Sequence, residues 1–328
     1  MSRKLFAVVA AVLMLSAGNA AEAERTVLEQ LQAEARQDSS YVRELAENGD
    51  AEAQFALGKM YYCGDGVKHD YREALKWYRK AAERGLAKAQ YEIGRMYDYG
   101  IGVKKDGQEA QKWYRRAFVE YRKAAEDGDA EAQYKLAFMY YLEEGTEKDI
   151  TEARRWWMIS AENDCANAQR WLGDVYETGS DFVWEDHDAS VMWYLRALGN
   201  YLKDAGQGDA EAMFYAGYMY YNGWGMEADN AEALRWFKKS AEQGNADAQY
   251  YLGWMYFNGE GVPQDKAEAA EWYHLSAEHG HNLAQYYLGR MYENGDGVAK
   301  NLREARKWYQ KSAAQGNTSA KEALRRIR

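Results

Sequence analysis

Apolar residues recur along most of the chain with a helical period, and the segment from Ala51 to Leu86 shows the pattern most clearly. Ala53, Leu57, Met60 and Tyr61 fall at i, i+4, i+7 and i+8, the spacing of one buried face of an α-helix. Gly64-Asp65-Gly66 follows, and its glycines supply the positive φ that ends a helix and redirects the chain. A second helix then opens at Asp70 with Glu73, a capping box, and buries Ala74, Trp77, Tyr78, Ala81 and Ala82. The pattern therefore predicts two helices joined by a tight turn.

The same unit returns along the chain. The phrase Ala-Gln-Phe-Ala-Leu-Gly-Lys-Met-Tyr from Ala53 recurs with its Ala at 53, 89, 132, 168, 212, 248, 284 and 320, at intervals of 36, 43, 36, 44, 36, 36 and 36 residues. A fixed period of this length defines a repeat architecture before any motif is weighed. Gly58 sits inside the first helix and returns as Gly94, Gly173, Gly217, Gly253 and Gly289, with Ala137 in its place once. A helical glycine costs about 1 kcal/mol against alanine, so its recurrence implies close helix packing. The capping pair also returns, as Asp106/Glu109, Asp149/Glu152, Asp229/Glu232 and Asp265/Glu268.

This pattern resembles the SEL-one-like repeat family, a relative of tetratricopeptide repeats. The residues that carry the resemblance are the Ala-x-Ala-Gln start, Leu-Gly, the tyrosines at 61, 97, 140, 176, 220, 256 and 292, the Gly-x-Gly-Val turn and aromatic pairs such as Trp77-Tyr78. Repeats 3 and 4 depart from it: Glu143 replaces the first turn glycine, and Asp181 replaces a second beside Phe182, Val183 and Trp184. The resemblance implies an all-α fold, a right-handed α-solenoid of helix-turn-helix repeats. A two-helix unit cannot bury its own apolar face, so stacked neighbours share a continuous core. The expected division is an N-terminal cap at 24–50, repeats at 51–86, 87–129, 130–165, 166–209, 210–245, 246–281 and 282–317, and a capping helix at 318–328.

Repeats 2 and 4 each gain seven residues by a duplicated phrase. Tyr114-Arg-Arg-Ala117 is echoed from Tyr121, and Tyr194-Leu-Arg-Ala197 from Tyr201. Seven residues make nearly two turns, roughly 10 Å of extra helix. Two lengthened second helices are therefore expected, projecting from one edge; the bland reading is neutral drift, because an insertion of whole turns is cheap for any repeat array.

Upstream of the array, Arg3 and Lys4 precede an apolar run from Leu5 to Leu15, with small residues at Ala17, Gly18, Ala20, Ala21 and Ala23. This is the pattern of a secretory signal peptide over 1–23, cleaved after Ala20 or Ala23. No later stretch avoids charge for the roughly 18 to 20 positions a membrane span requires. A soluble protein in the periplasm or outside the cell is expected.

Composition narrows the function further. One Pro, 29 Gly, 12 Trp and 28 Tyr describe a foldable, aromatic-rich chain, and the net charge of -10 gives no reason to expect nucleic acid as a partner. Cys63 and Cys165, the only cysteines, fall two repeats apart on opposite edges and should not bridge. His274, His279 and His281 cluster without metal-ligand spacing, and the Asp65-Gly66 and Asp296-Gly297 turns lack the alternating oxygens of a calcium loop. Cofactor and metal are not expected.

The binding surface should lie where the repeat phrase varies. In repeat 1 the variable first-helix positions are Ala56, Lys59 and Cys63, on one stripe beside the packed face. The stripe continues through Glu92 and Arg95, Lys135 and Phe138, Trp171 and Asp174, Tyr215 and Tyr218, Tyr251 and Trp254, then Tyr287 and Arg290. Trp224 in a turn extends it, and Asn222, Asn258 and Asn294 place amides along one rim. The resemblance implies that first helices line the concave surface. Exposed rings beside amides suit a protein or peptide partner, or the sugar faces of peptidoglycan or another glycan. The alternative is that these rings only pack between neighbouring first helices. Some cysteine-rich exported members of the family are described as penicillin-binding or β-lactamase-like, which gives an enzyme as the other hypothesis. The chain has no Ser-x-x-Lys, Gly-x-Ser-x-Gly or His-Glu-x-x-His, lacks the paired cysteines of those relatives, and offers no catalytic residue by motif.

Overall fold

The computed structural model describes residues 39–179 and 185–327. The signal-peptide segment 1–23, the first part of the N-terminal cap and the Asp181–Trp184 departure in repeat 4 lie outside the described residues. Among the described residues there are sixteen helices and no strand. They run α1 (Ser39–Glu47), α2 (Ala51–Cys63), α3 (Tyr71–Glu83), α4 (Ala87–Tyr99), α5 (Gly107–Glu126), α6 (Ala130–Leu142), α7 (Ile150–Glu162) and α8 (Ala166–Thr178). The array continues through α9 (His187–Gly206), α10 (Ala210–Asn222), α11 (Asn230–Glu242), α12 (Ala246–Asn258), α13 (Lys266–Glu278), α14 (Asn282–Asn294), α15 (Leu302–Ala314) and α16 (Thr318–Arg326). Each helix packs on the one before and the one after, so the fold is an all-α solenoid of tandem helix pairs.

The helical glycines seat an aromatic ring. A methyl group added at Gly58 would stand 2.6 Å from the Tyr78 ring, and the same holds for Gly94 and Tyr114, Gly173 and Tyr194, Gly217 and Phe237, Gly253 and Tyr273, and Gly289 and Tyr309. The first helix thus gives up about 1 kcal/mol of helix propensity so that the ring of its own second helix can lie on its backbone. Each of these six rings is buried.

A recurring glutamine joins one repeat to the next. Gln54, Gln90, Gln133, Gln169, Gln249 and Gln285 are buried, and each Nε2 donates to the carbonyl of the alanine eight residues earlier, at the end of the preceding second helix. Each of these carbonyls also accepts a backbone amide of the turn that follows, as Ala241 does from Gly244 at 2.9 Å, so the glutamine adds a second, inter-repeat bond at a buried helix end, worth about 1 kcal/mol. In repeats 3, 4, 6 and 7 its Oε1 also accepts from the following helix, through Asn163, Asn200, Gln315 or the ring nitrogen of His279. Ser160, Ser240, Ser276 and Ser312 add a parallel ladder, each hydroxyl donating to the carbonyl of the residue 30 positions earlier.

Caps form differently from the sequence expectation in one respect. Asp70, Asp106, Asp149, Asp229 and Asp265 accept from first-turn amides as expected. The reciprocal bond to the glutamate does not form, because the Asp backbone N–H donates instead across the turn, Asp70 to the Tyr61 carbonyl at 2.9 Å. The freed carboxylates bind along their own helix, as Glu109 does to Lys112 and the Trp113 indole. Asp186 and Asn301 cap the two second helices outside the expected set.

The helices α5 and α9 each have 20 residues, against 13 in the second helices of the other repeats. They do not simply project. Tyr194 seats on Gly173 of its own repeat, while the duplicated Tyr201, also buried, stacks on Tyr215 of the next at 5.1 Å. In repeat 6 a single ring, Tyr273, does both, seating on Gly253 and stacking on Tyr287. The extra turns therefore divide one packing task between two tyrosines.

Glycine positions separate by this geometry. Gly253→Ala should destabilise by about 1–3 kcal/mol, because the Tyr273 ring must move. Gly199→Ala, exposed in the middle of α9 with no other group within 4 Å of where its Cβ would stand, should stabilise by about 0.5–1 kcal/mol. Denaturation midpoints of the two variants compare them directly.

Candidate functional site

Rings of the variable stripe meet between repeats 3 and 4, between 5 and 6, and between 6 and 7. Phe138 meets Trp171 edge-on at 5.5 Å, Tyr218 meets Tyr251 at 5.3 Å and Trp254 meets Tyr287 at 5.8 Å, each contact bridging neighbouring first helices. All of these rings are half-buried. A second set of contacts supports them from behind: Trp171 stacks on Trp157 at 3.7 Å, Tyr215 on Tyr201, Tyr251 on Phe237 at 5.3 Å and Tyr287 on Tyr273 at 5.7 Å. One face of each ring is thus used in packing between repeats, which is the alternative raised by the sequence. The half-buried remainder is available at Tyr218 and Trp254, whose contacts are mainly edge-on.

Trp224 sits in the turn after α10 and joins the stripe through that turn. Its ring stacks on Tyr194 at 5.5 Å and 8°, and meets Tyr218 at a right angle. Its position is shared by a column of turn residues that reach toward the preceding repeat. Glu260 accepts from the Tyr221 hydroxyl at 2.6 Å, and Asp296 takes the Lys266 ammonium at 2.6 Å. At the far end Arg290 is exposed, with its guanidinium 5.7 Å from the Tyr287 ring and 5.9 Å from Tyr286. A recess beside it, lined by Tyr287, Arg290 and Asp296, encloses only about 20 Å³, room for one water.

The amides contribute less than the sequence implied. Asn222 and Asn258 are exposed, but each Nδ2 donates back to its own helix, to the Tyr218 carbonyl at 2.7 Å and the Trp254 carbonyl at 3.0 Å. The histidines serve separately: His274 packs on Trp308, His279 binds Gln249, and His281 caps α14 while its Nε2 lies 3.2 Å from Asp247. Cys63 and Cys165 are both free thiols. Burial and the neighbouring Glu131 push Cys165 up to about 12, far from the range of a reactive thiolate.

One feature of the site was not found by reading the variable stripe. The residue before the stripe position is aromatic in six repeats, at Phe55, Tyr91, Tyr134, Phe214, Tyr250 and Tyr286, and is Arg170 in repeat 4. Arg170 pairs with Asp174 at 2.9 Å and lies 5.9 Å from the Tyr215 ring and 5.7 Å from Trp224, so a charge pair stands at the head of the aromatic run. Burial raises the Asp174 carboxyl, opposed by the Tyr194 hydroxyl, which donates to it at 2.8 Å, and by Arg170. The break in an otherwise aromatic column was the signal available in the sequence.

The irregular turn of repeat 3 places a second acid inside. Glu143 adopts φ 60° where its relatives have glycine, and Glu144 turns inward, its Oε2 buried without a hydrogen-bond partner. Burial raises the Glu144 carboxyl, against the lowering effects of Tyr91 and Arg95. A carboxyl raised in the fold favours the protonated form, so its stabilising contribution is present at low pH and lost as pH rises through the folded value. Glu144→Gln should therefore melt higher than wild type at pH 7 and show a flatter dependence of melting temperature between about pH 4 and 7. Melting curves across that range check both.

Comparison with known proteins gives the repeat a counterpart. A family profile described as Sel1 repeat matches residues 51–86, 87–118, 130–165, 166–198, 210–245, 246–281 and 282–317. Among solved structures, a protective antigen of uropathogenic Escherichia coli strains with an SLR fold is 33% identical over 88% of this chain and 67% of its own, with a TM-score of 0.38. A Sel1 repeat protein from Oxalobacter formigenes is 29% identical over 79% of this chain and 96% of its own, with a TM-score of 0.47. Cysteine rich protein B of Helicobacter pylori is 24% identical over 38% of this chain and 94% of its own, with a TM-score of 0.33. A search of curated proteins finds no match.

Proposed function

The chain belongs to the Sel1 repeat family, whose members are in general scaffolds for protein–protein interaction and typically not enzymes, and from that premise we propose that it is an exported scaffold binding a protein or peptide through the aromatic stripe. The observation that carries this reading is the connected run of Tyr218, Tyr251, Trp254 and Tyr287 on adjacent first helices, at positions the repeat phrase leaves free. Trp171, Tyr215 and Trp224 extend the surface toward the Arg170–Asp174 pair, and Arg290 ends it with an exposed cation. Rings held rigid by stacking lose little entropy on binding, which is why Tyr and Trp dominate interaction hot spots.

Export rests on the charged, apolar and small-residue order of positions 1–23. Among the described residues no helix is long and apolar enough to cross a membrane. The expected setting is the periplasm or the exterior, in envelope assembly, signalling or contact with a host. Peptidoglycan is the second reading, and it has less support because the Asn222 and Asn258 amide N–H groups already bond within their helices.

Affinity capture from the envelope fraction tests the proposal, with wild type and a Tyr218→Ala/Trp254→Ala variant as baits. The expected outcome is a partner retained by wild type and bound at least about tenfold more weakly by the variant, as for truncated hot-spot rings, with the helical signal of the variant intact. Equal retention by both baits contradicts the stripe. Retention on purified peptidoglycan sacculi in place of a protein would select the glycan reading, and β-lactam hydrolysis that a point mutation abolishes would select an enzyme.

A further inference from the structure

The links that follow the second helices are alike in form, but one of them differs in meeting the backbone of a distant repeat. A glycine at positive φ follows the second helix at Gly85, Gly128, Gly208, Gly244, Gly280 and Gly316. At five of these nothing lies within 4 Å of where a Cβ would stand. At Gly280 that position is filled by the backbone carbonyl of Cys63, with the Cys63 Cβ at 3.4 Å, although the two residues are separated by most of the array. Gly280 is buried, and its equivalents at 85, 128, 208, 244 and 316 are exposed.

The two partners come from opposite edges of the solenoid. Cys63 ends α2, at the turn between the helices of repeat 1, and Gly280 links α13 to α14, between repeats 6 and 7. Turns within repeats line one edge of a solenoid ribbon and links between repeats line the other. Contact between opposite edges means that the ribbon has curved through one superhelical turn and met itself. The Cys63 carbonyl, at the free end of its helix, faces the Gly280 backbone, where only a residue without a side chain admits it. Burial raises the Cys63 thiol, and Asp247 at the start of α12 is among the charges that act on it, consistent with repeat 6 lying against repeat 1.

We propose that the Cys63–Gly280 contact is a clasp that closes one turn of the solenoid, so that its inner face admits an extended peptide segment and excludes a folded domain. The step from closure to partner rests on the reading of the stripe as that inner face; the closure itself does not. A closed turn offers the stripe to a chain that can thread along it, whereas an open crescent would accept a globular surface.

A disulfide tests the clasp without reference to any ligand. In Gly280→Cys the new Cβ would stand 3.4 Å from the Cys63 Cβ, within reach of a disulfide once the Cys63 carbonyl, 2.1 Å from that position, has turned aside. Mild oxidation should give a bond between residues 63 and 280, located by peptide mapping. Gly244→Cys has the same backbone strain, φ 86° against 85°, with no neighbour within 4 Å, and should not pair with Cys63. A thiol at 280 that pairs no more than that at 244, together with wild-type scattering dimensions of an open array, overturns the clasp. If Gly280→Cys does not fold, solution scattering of the wild-type protein decides: dimensions of a closed turn support the clasp and a longer, open array overturns it. Exclusion is read with a maleimide, free or carried on a folded protein, against Lys135→Cys on the stripe and Arg155→Cys on the outer second helix α7, both in a Cys63→Ser/Cys165→Ser background. The free reagent should label both, and the protein-borne one should label Arg155→Cys and lose Lys135→Cys. Equal labelling by the large reagent overturns exclusion. Loss of partner binding in the stripe variant leaves the disulfide result untouched, so the two readings fail separately.

Discussion

Neither helix of a repeat can bury its apolar face within its own unit, and every other feature of this protein follows from how neighbours make good that deficit. The second-helix ring seats on a glycine of its own first helix, as Tyr273 does on Gly253, and presents its other side to the next repeat, where Tyr287 stacks on it. The buried glutamine then ties one repeat to the next by donating to an alanine carbonyl at the end of the preceding helix. Together these contacts fix glycine, tyrosine, alanine and glutamine in most units, with Ala137, Phe237 and Met213 among the exceptions. What they leave free is the stripe of two or three first-helix positions, and there the chain has placed Tyr, Trp and Arg.

The irregular repeats show the same constraint at work. Lengthening α9 by two turns would separate Tyr194 from the repeat it supports, and Tyr201 restores the support. Arg170 replaces a ring that would have packed on Tyr194, and Asp174, Trp224 and Tyr215 surround the guanidinium. A charge in that column is tolerated because it is paired, and because flat rings can face a guanidinium as well as another ring. It also marks the boundary between a mixed-charge half of the stripe, with Lys59, Glu92, Arg95 and Lys135, and an aromatic half.

Much of this was legible in the sequence, because a repeat displays its own alignment. The period, the two helices, the close packing at Gly58 and the lengthening of repeats 2 and 4 all follow from local pattern. Other features depend on partners that no local pattern names. The capping box at Asp70 looked reciprocal, yet the Asp70 amide had a nearer acceptor across the turn at Tyr61. Asn222 and Asn258 looked like rim ligands, but an exposed asparagine near a helix end can bond its own helix four residues back. Arg170 was passed over because its column is otherwise packing, and only the break in that column marks it. The meeting of Cys63 with Gly280 sums small rotations over the intervening repeats, and no residue pair in the sequence encodes it.

Packing consumes the second helices and leaves the first-helix stripe as the proposed binding surface. A photoreactive benzophenone side chain tests this most directly when placed at Tyr218, on the stripe, or at Lys239, exposed on the second helix α11. Irradiation in the envelope fraction should give a discrete adduct from position 218 and none from 239. An adduct from 239 alone would contradict the account, placing the partner on the opposite face.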